Sequence, residues 1–246
     1  MCDHWMPLVK LPLNIEEFQQ LPRNGAYKYE YLDETAYLSP RPRHYHAMLE
    51  LRPATARVEA TIRPVDASLV MDLAPLFATS FGTIQPFGCL DDTTRLHAAR
   101  EALARVLAGD DGPFIERASF TAVDQNETVG AILVTLLPDG DPCDHDSYAW
   151  QAKPPAQSVD KRLGRPHLTW IFVAPGRCGH GVGSALLVAT VNELLNMGFT
   201  QLLSTFMIGN DSSMLWHWRN GFQLLSYPGS YRLMKERWLK NLQPPA

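Results

Sequence analysis

Aromatic and polar side chains alternate through YKYEYLDETAYLSPRPRHYHAMLEL, with Asp33 and Glu34 together between two such runs. A period of two residues is that of a half-buried strand, so the stretch predicts a β-hairpin followed by another strand. From Val58 the pattern changes. ATIRPV predicts a short strand, and Asp66 stands where it can cap a helix reaching Phe81, with Leu69, Leu73, Leu76 and Phe77 at helical spacing and Pro75 as an expected kink. DDTTRLHAAREALARVLAG predicts a second helix, with Leu96, Ala99, Leu103 and Val106 on one face and Gly109 as its stop.

ERASFTAVD and TVGAILVTLL predict two strands joined by a turn at Gln125 and Asn126. Residues 138–165 have no apolar period and are rich in Pro, Asp and Lys, the texture of a long loop. HLTWIFVAP then reads as a buried strand. VGSALLVATVNELLNMG reads as a helix with a polar stripe at Asn192, Glu193 and Asn196, closed by Gly198. FTQLLSTFMI is a further strand and NDSSMLWHWRN a short helix capped by Asn210 or Asp211, while FQLLS and SYRLMKE are two closing strands. The change of texture near residue 56 suggests an N-terminal β-hairpin extension, 1–56, followed by the main domain, 57–246.

Composition narrows the function classes. With 246 residues, 46% hydrophobic and 20% charged, the chain has material for a full core. A net charge of −4 argues against a nucleic-acid surface. No run approaches the roughly 20 apolar residues of a bilayer span, and the first residues lack the basic-then-apolar pattern of a secretory signal, so no membrane partner is expected. Cys2, Cys89, Cys143 and Cys178 are scattered without a CxxC pair, which points away from a disulfide scaffold or a structural zinc and fits a cytoplasmic protein.

The densest chemistry lies in APGRCGHGVGS, residues 174–184, between the HLTWIFVAP strand and the following helix. A strand, a glycine turn and a helix N-terminus together present free backbone N–H groups and a positive dipole end to an anion. A dinucleotide fingerprint needs G-x-G-x-x-G and an acidic residue on the next strand, but the spacing here is G-x-G-x-G and Ser204–Met207 carries no carboxylate. A triphosphate loop needs Lys followed by Ser or Thr after the glycines, and none is present.

FVAPGRCGHGVGSALL, followed at the right distance by NDSSMLWHWRNGF, resembles the acyl-CoA-binding half of the GNAT superfamily of N-acyltransferases. The preceding two helices and hairpin also come in that family's order, so the likeness covers about Val58 to Trp238. It implies an α+β fold, the GNAT fold: a central mixed, mostly antiparallel sheet with helices on both faces, plus the N-terminal hairpin extension. It implies acetyl-CoA as cosubstrate and a primary amine, on a small molecule or a peptide, as acceptor. The acetyl group would pass directly to the amine in a ternary complex. A non-catalytic acyl-CoA sensor on the same fold is the alternative. Coenzyme A would lie against Phe172 and Val173, Arg177, Cys178, Gly179, His180, Gly181, Val182, Gly183 and Ser184, and against Asn210 and Ser213 of the later helix. A homodimer is compatible with the resemblance.

Two positions depart from the family pattern. Cys178 stands where Arg or Gln is usual, with Arg177 one residue earlier, and direct transfer leaves that thiol no nucleophilic role. His217 stands where a tyrosine often protonates the departing thiolate. An imidazolium of ordinary pKa, about 6.5, would pass a proton downhill to a thiolate, about 8.5; a histidine packed within the helix is the other reading. Glu116, Asp124 and His167 are candidates for the base that deprotonates the amine. DGDPCDHD, residues 139–146, reads as a solvated turn rather than a metal site, His44 and His46 as strand-surface residues, and Asp91 with Asp92 as helix caps.

Overall fold

The computed structural model describes residues 9–21, 27–40, 44–84, 87–139, 157–207 and 210–225. In chain order these form β1 (Val9–Leu11), α1 (Ile15–Gln20), β2 (Tyr27–Leu32), β3 (Thr35–Pro40), β4 (His44–Glu50), β5 (Thr61–Pro64), α2 (Ala74–Ser80) and α3 (Asp92–Ala108). They continue with β6 (Phe120–Asp124), β7 (Glu127–Leu137), α4 (Ser158–Lys161), β8 (Arg165–Val173), α5 (Val182–Asn196), β9 (Gln201–Met207), α6 (Asp211–Arg219) and β10 (Gln223–Leu224).

Two tight turns fix the hairpin registers. Asp33 and Glu34 take φ of 47° and 54°, and Gln125 and Asn126 take 48° and 66°. They bring Leu32 opposite Thr35 and Asp124 opposite Glu127. Positive φ at both central residues matches the twist of the flanking strands, so each hairpin closes in two residues.

The main sheet has seven strands in the order β10-β4-β9-β8-β7-β6-β5. Each described pairing in it is antiparallel except that of β8 with β9. The strand expected after the first hairpin, β4, lies in this sheet between β9 and β10, while β1, β3 and β2 make a separate three-stranded sheet. β1 and α1 were not anticipated, although Asn14 and Glu17 form a reciprocal capping box around the start of α1. The second closing strand, SYRLMKE, falls outside the described residues.

Both faces of the sheet are covered. Ile132, Val134, Leu136 and Leu168 pack with Leu186, Val191 and Leu194 of α5. On the other face Ala131, Leu133 and Phe172 pack with Phe77 of α2 and Leu103 of α3. The helix expected over 66–81 is two pieces, a 3-10 helix Ala67–Leu73 capped by Asp66 and then α2. Pro75 stands in the first turn of α2, where its missing N–H costs nothing, so it begins a helix rather than kinking one. No described helix is long and apolar enough to cross a membrane.

Candidate active site

A wedge opens in the sheet between β8 and β9. The two strands run parallel and pair at His167 with Leu203 and at Leu168 with Ser204; the described register goes no further. On its other edge β8 stays paired with β7 as far as Val173 opposite Gly130. The cause is local. Val134 faces Leu168 and Leu133 faces Trp170, so Thr169 is an extra residue in β8. A bulge bends its strand and increases its twist, and the β8–β9 pairing ends at Leu168, the residue just before it.

The open end of the wedge lies at the C-terminal ends of both strands, where the glycine turn leads into α5. Pro175–Arg177 makes one 3-10 turn, and Gly181, with φ 81°, is the N-cap of α5 without a side-chain capping bond. The first-turn N–H groups of α5 are therefore left without a side-chain cap, as an anion site requires. Gly179 also has φ 81°, and a Cβ added there would meet nothing within 4 Å. Gly183 has a different reason for being glycine: its Cβ would lie 3.1 Å from Nε1 of Trp216, so it lets α6 pack closely on α5.

The remaining loop residues divide between surface and sheet. Phe172 is buried against Phe77, ring centroids 5.2 Å apart, and Val182 is buried in the core under α5. The exposed Cys178 thiol lies 3.6 Å from the Ala174 carbonyl and 3.8 Å from that of Val173. Arg177 forms an ion pair with Asp124 at the β6–β7 turn. A cavity of about 440 Å³ beside the start of α5 is lined by Arg57, Glu59, Asp124, Arg177 and His180. Asn210 caps α6 by accepting from the Ser213 N–H at 3.0 Å, and Ser184 lies in the first turn of α5.

His217 is buried, 2% exposed, and its ring stacks on Phe206 at 4.4 Å. Nδ1 lies 2.7 Å from the Ser213 carbonyl and Nε2 lies 2.7 Å from Ser204 Oγ. A carbonyl can only accept, so Nδ1 carries the proton and Nε2 accepts from the Ser204 hydroxyl. Burial pushes the His217 pKa down to about 4. At neutral pH the ring is therefore neutral, with no proton on Nε2, and this geometry favours the packed reading of His217 over the imidazolium donor.

The candidate bases separate as well. Glu116 accepts the Ala67 N–H at 2.9 Å and Asp124 is held by Arg177. His167 lies at the apex of the wedge, with Nε2 2.9 Å from Thr205 Oγ1 and Nδ1 3.2 Å from Thr169 Oγ1. His46 Nδ1 is 3.5 Å from the same Thr205 hydroxyl. Sequence reading missed Thr205, Thr169 and Ser204; the available signal was the alternation of His and Thr on one strand face at His167 and Thr169. Asp91 caps α3 through Thr94, whose hydrogen bonds hold its carboxyl below the usual range, and Asp92 pairs with Arg95. Most of the DGDPCDHD run lies outside the described residues, and among those described no cluster of metal-binding side chains occurs.

From β5 onward the order of elements is the one the resemblance implied: two helices, a hairpin, a strand, a glycine turn, a helix, a strand and a short helix. The chain has the α+β architecture expected: a mixed, mostly antiparallel sheet with helices on both faces. Among solved structures, the chain is similar to a PaiA N-acetyltransferase from Thermoplasma acidophilum in complex with coenzyme A, at 11% identity over 67% of this chain and 90% of that one, TM-score 0.44. It is similar to a GNAT family acetyltransferase from Brucella melitensis in complex with acetyl-CoA, at 16% identity over 70% and 90%, TM-score 0.44. A third is AAC(6')-Iy in complex with a bisubstrate analog, at 21% identity over 67% and 91%, TM-score 0.42. No family model and no curated protein matches the sequence.

Proposed function

We propose that this protein is an N-acetyltransferase that moves the acetyl group of acetyl-CoA to a primary amine by direct attack. The observation that carries the reading is the β8–β9 wedge with an uncapped, glycine-bordered helix start at its open end. Coenzyme A has the two features that such a site suits. Its pyrophosphate matches the N–H groups between Gly179 and Ser184. Its pantetheine amides match the edge of β8 at Phe172 and Val173, which adds the arm to the sheet as a further strand. Five residues from Thr169 to Val173 cover ~13 Å at about 3.3 Å per step. An extended arm entering at the helix therefore carries its thioester towards the apex.

Catalysis on this reading is chiefly positioning, with backbone N–H groups at the wedge polarising the thioester carbonyl. The amine nitrogen bonds to the carbonyl carbon, the carbon–sulfur bond breaks, and the thiol leaves with one proton. Arg57, lining the cavity beside α5, supplies positive charge near the phosphates, His180 beside it can donate a ring N–H, and Arg177 is shared with Asp124. Cys178 stays outside the chemistry, its thiol turned to loop carbonyls.

The test is thiol release from acetyl-CoA with a polyamine, an aminoglycoside, an amino acid and a peptide amine, beside calorimetric binding of CoA. Acceptor-dependent thiol release is expected. At φ 81° any side chain strains Gly179 although a Cβ meets nothing within 4 Å, so Gly179→Asp is read against Gly179→Asn, which shares that strain without the charge. The carboxylate at the anion site should lower CoA affinity at least about tenfold relative to the asparagine. Tight CoA binding without thiol release across the panel would favour an acyl-CoA sensor. Equal affinity in Gly179→Asp and Gly179→Asn would remove the helix start from the site.

A further inference from the structure

An alkylammonium loses two protons on becoming an amide: one leaves on sulfur as the thiol, and the other must be carried to solvent. We infer that the second proton is taken through the Thr205 hydroxyl by His167. This inference rests on the acetyltransferase reading above and assigns the base within it.

The direction of the relay follows from one carbonyl. Thr135 Oγ1 donates to the Asp111 carbonyl at 2.7 Å, which commits its proton. In the 2.8 Å contact between Thr135 and Thr169 the donor is therefore Thr169. With its proton given to Thr135, Thr169 Oγ1 accepts from His167 Nδ1 at 3.2 Å. That places the imidazole proton on Nδ1 and leaves Nε2 as an acceptor, 2.9 Å from Thr205 Oγ1. Thr205 then points its hydroxyl proton at His167 and keeps oxygen lone pairs for a donor.

Location makes that donor the acceptor amine. Thr205 is the residue after Ser204, the last of β9 to pair with β8, and Thr169 is the bulged residue that starts the divergence. The hydroxyl thus stands at the apex to which the pantetheine arm leads. Beside it is a cavity of about 130 Å³, lined by His46, His167, Thr205, Leu137, Leu203 and Leu225, largely apolar apart from these polar groups. An ammonium entering an apolar cavity loses hydration, which favours its neutral form. The proton passes from nitrogen to Thr205 Oγ1 as the Thr205 proton passes to His167 Nε2. His46, 3.5 Å from Thr205, is the second imidazole on the route outward.

The charged and titratable groups of that face, among the described residues, are few. β4 contributes His46 and Glu50, and β8 contributes Arg165, which is joined to Glu50 through Gln201 and paired with Asp139 at 3.6 Å. Beyond Thr135 the Asp111 carboxylate is paired with Arg105. β7 and β9 present Thr135, Leu137, Leu203 and Thr205 there, none of which titrates in the working range.

The experiment compares Thr205→Val, Thr205→Ser and His167→Gln with the wild type, using acetyl-CoA and whichever amine of the panel gives the fastest thiol release. Thr205→Val and His167→Gln should lose about 100-fold in kcat/KM. KM for acetyl-CoA should stay constant, and the acidic limb of the pH profile should be lost. Thr205→Ser, which keeps the hydroxyl, should remain within threefold of the wild type. Should His167→Gln fail to fold, the Thr205 pair decides alone. Wild-type-like rates and an unchanged acidic limb in Thr205→Val overturn the relay while leaving the acetyltransferase reading intact. A wild type that binds CoA and acetylates no amine overturns both.

Discussion

Ser204 and Thr205 are neighbours on β9 that point to opposite faces of the sheet, and each hydroxyl meets a histidine. On the α5 face the chain of hydrogen bonds runs from Ser204 through His217 to the Ser213 carbonyl. On the other face it runs from Thr205 through His167, Thr169 and Thr135 to the Asp111 carbonyl. Both chains hold the imidazole in one tautomer, with Nδ1 protonated and Nε2 accepting from a hydroxyl. What differs is access. Ser204 and His217 are 1% and 2% exposed, with His217 stacked on Phe206 and edge-on to Phe222, whereas Thr205 and His167 are half-buried. Thr205, His167 and Ser204 line the cavity of about 130 Å³, and His217 does not. The same hydrogen-bond pattern is a fastener where it is dry and a proton path where a ligand can reach it.

The largest expected break in this comparison is His217→Ala. It empties a packed volume and strands the Ser204 hydroxyl, and should cost about 3–5 kcal/mol in urea unfolding, while His167→Ala should cost less than about 1 kcal/mol. Next comes pH. The folded pKa of His217 is about 4 against 6.5 in the unfolded chain, so between those values the unfolded state binds the extra proton. Stability should therefore fall as pH drops from 6.5 to 4, by on the order of 3 kcal/mol, and be flat above. Unfolding curves of wild type and His217→Asn across that window would show it: the asparagine variant should lack this part of the slope.

Ser204→Ala should be milder, about 1 kcal/mol of stability with the acidic limb of the rate profile unmoved, the converse of what is expected of Thr205→Val. The smallest effect belongs away from both faces. Arg177→Ala removes a partly exposed pair with Asp124 and should change stability by less than about 0.5 kcal/mol. A large loss there would mean that the glycine turn depends on that pair.

Local signals carried much of this fold into the sequence. α3 was legible because Asp91 caps it, Gly109 ends it at φ 72° and its apolar residues keep helical spacing. The glycine turn and α5 were legible for similar reasons. The wedge was not, because it depends on which residue of β7 faces Leu168 and which faces Trp170, and that register is set by packing across strands. The relay was hidden for the same cause: His167 and Thr205 are 38 residues apart, and His46 reaches Thr205 across 159. Cys178 and His217 stood out only as departures from a pattern. Their surroundings, loop carbonyls in one case and a dry core in the other, are three-dimensional facts.

The position of β4 bears on how the molecule comes into being. A ribosome delivers this strand long before its partner β9, in which Gln201, opposite Glu50, lies 151 residues further on. While the intervening residues are made β4 has neither of its neighbours, and contacts of such long sequence separation form late and slowly. The floor of the wedge therefore assembles only after β9 is made, and a chain stalled short of β9 presents an unsatisfied strand to the cell's chaperones.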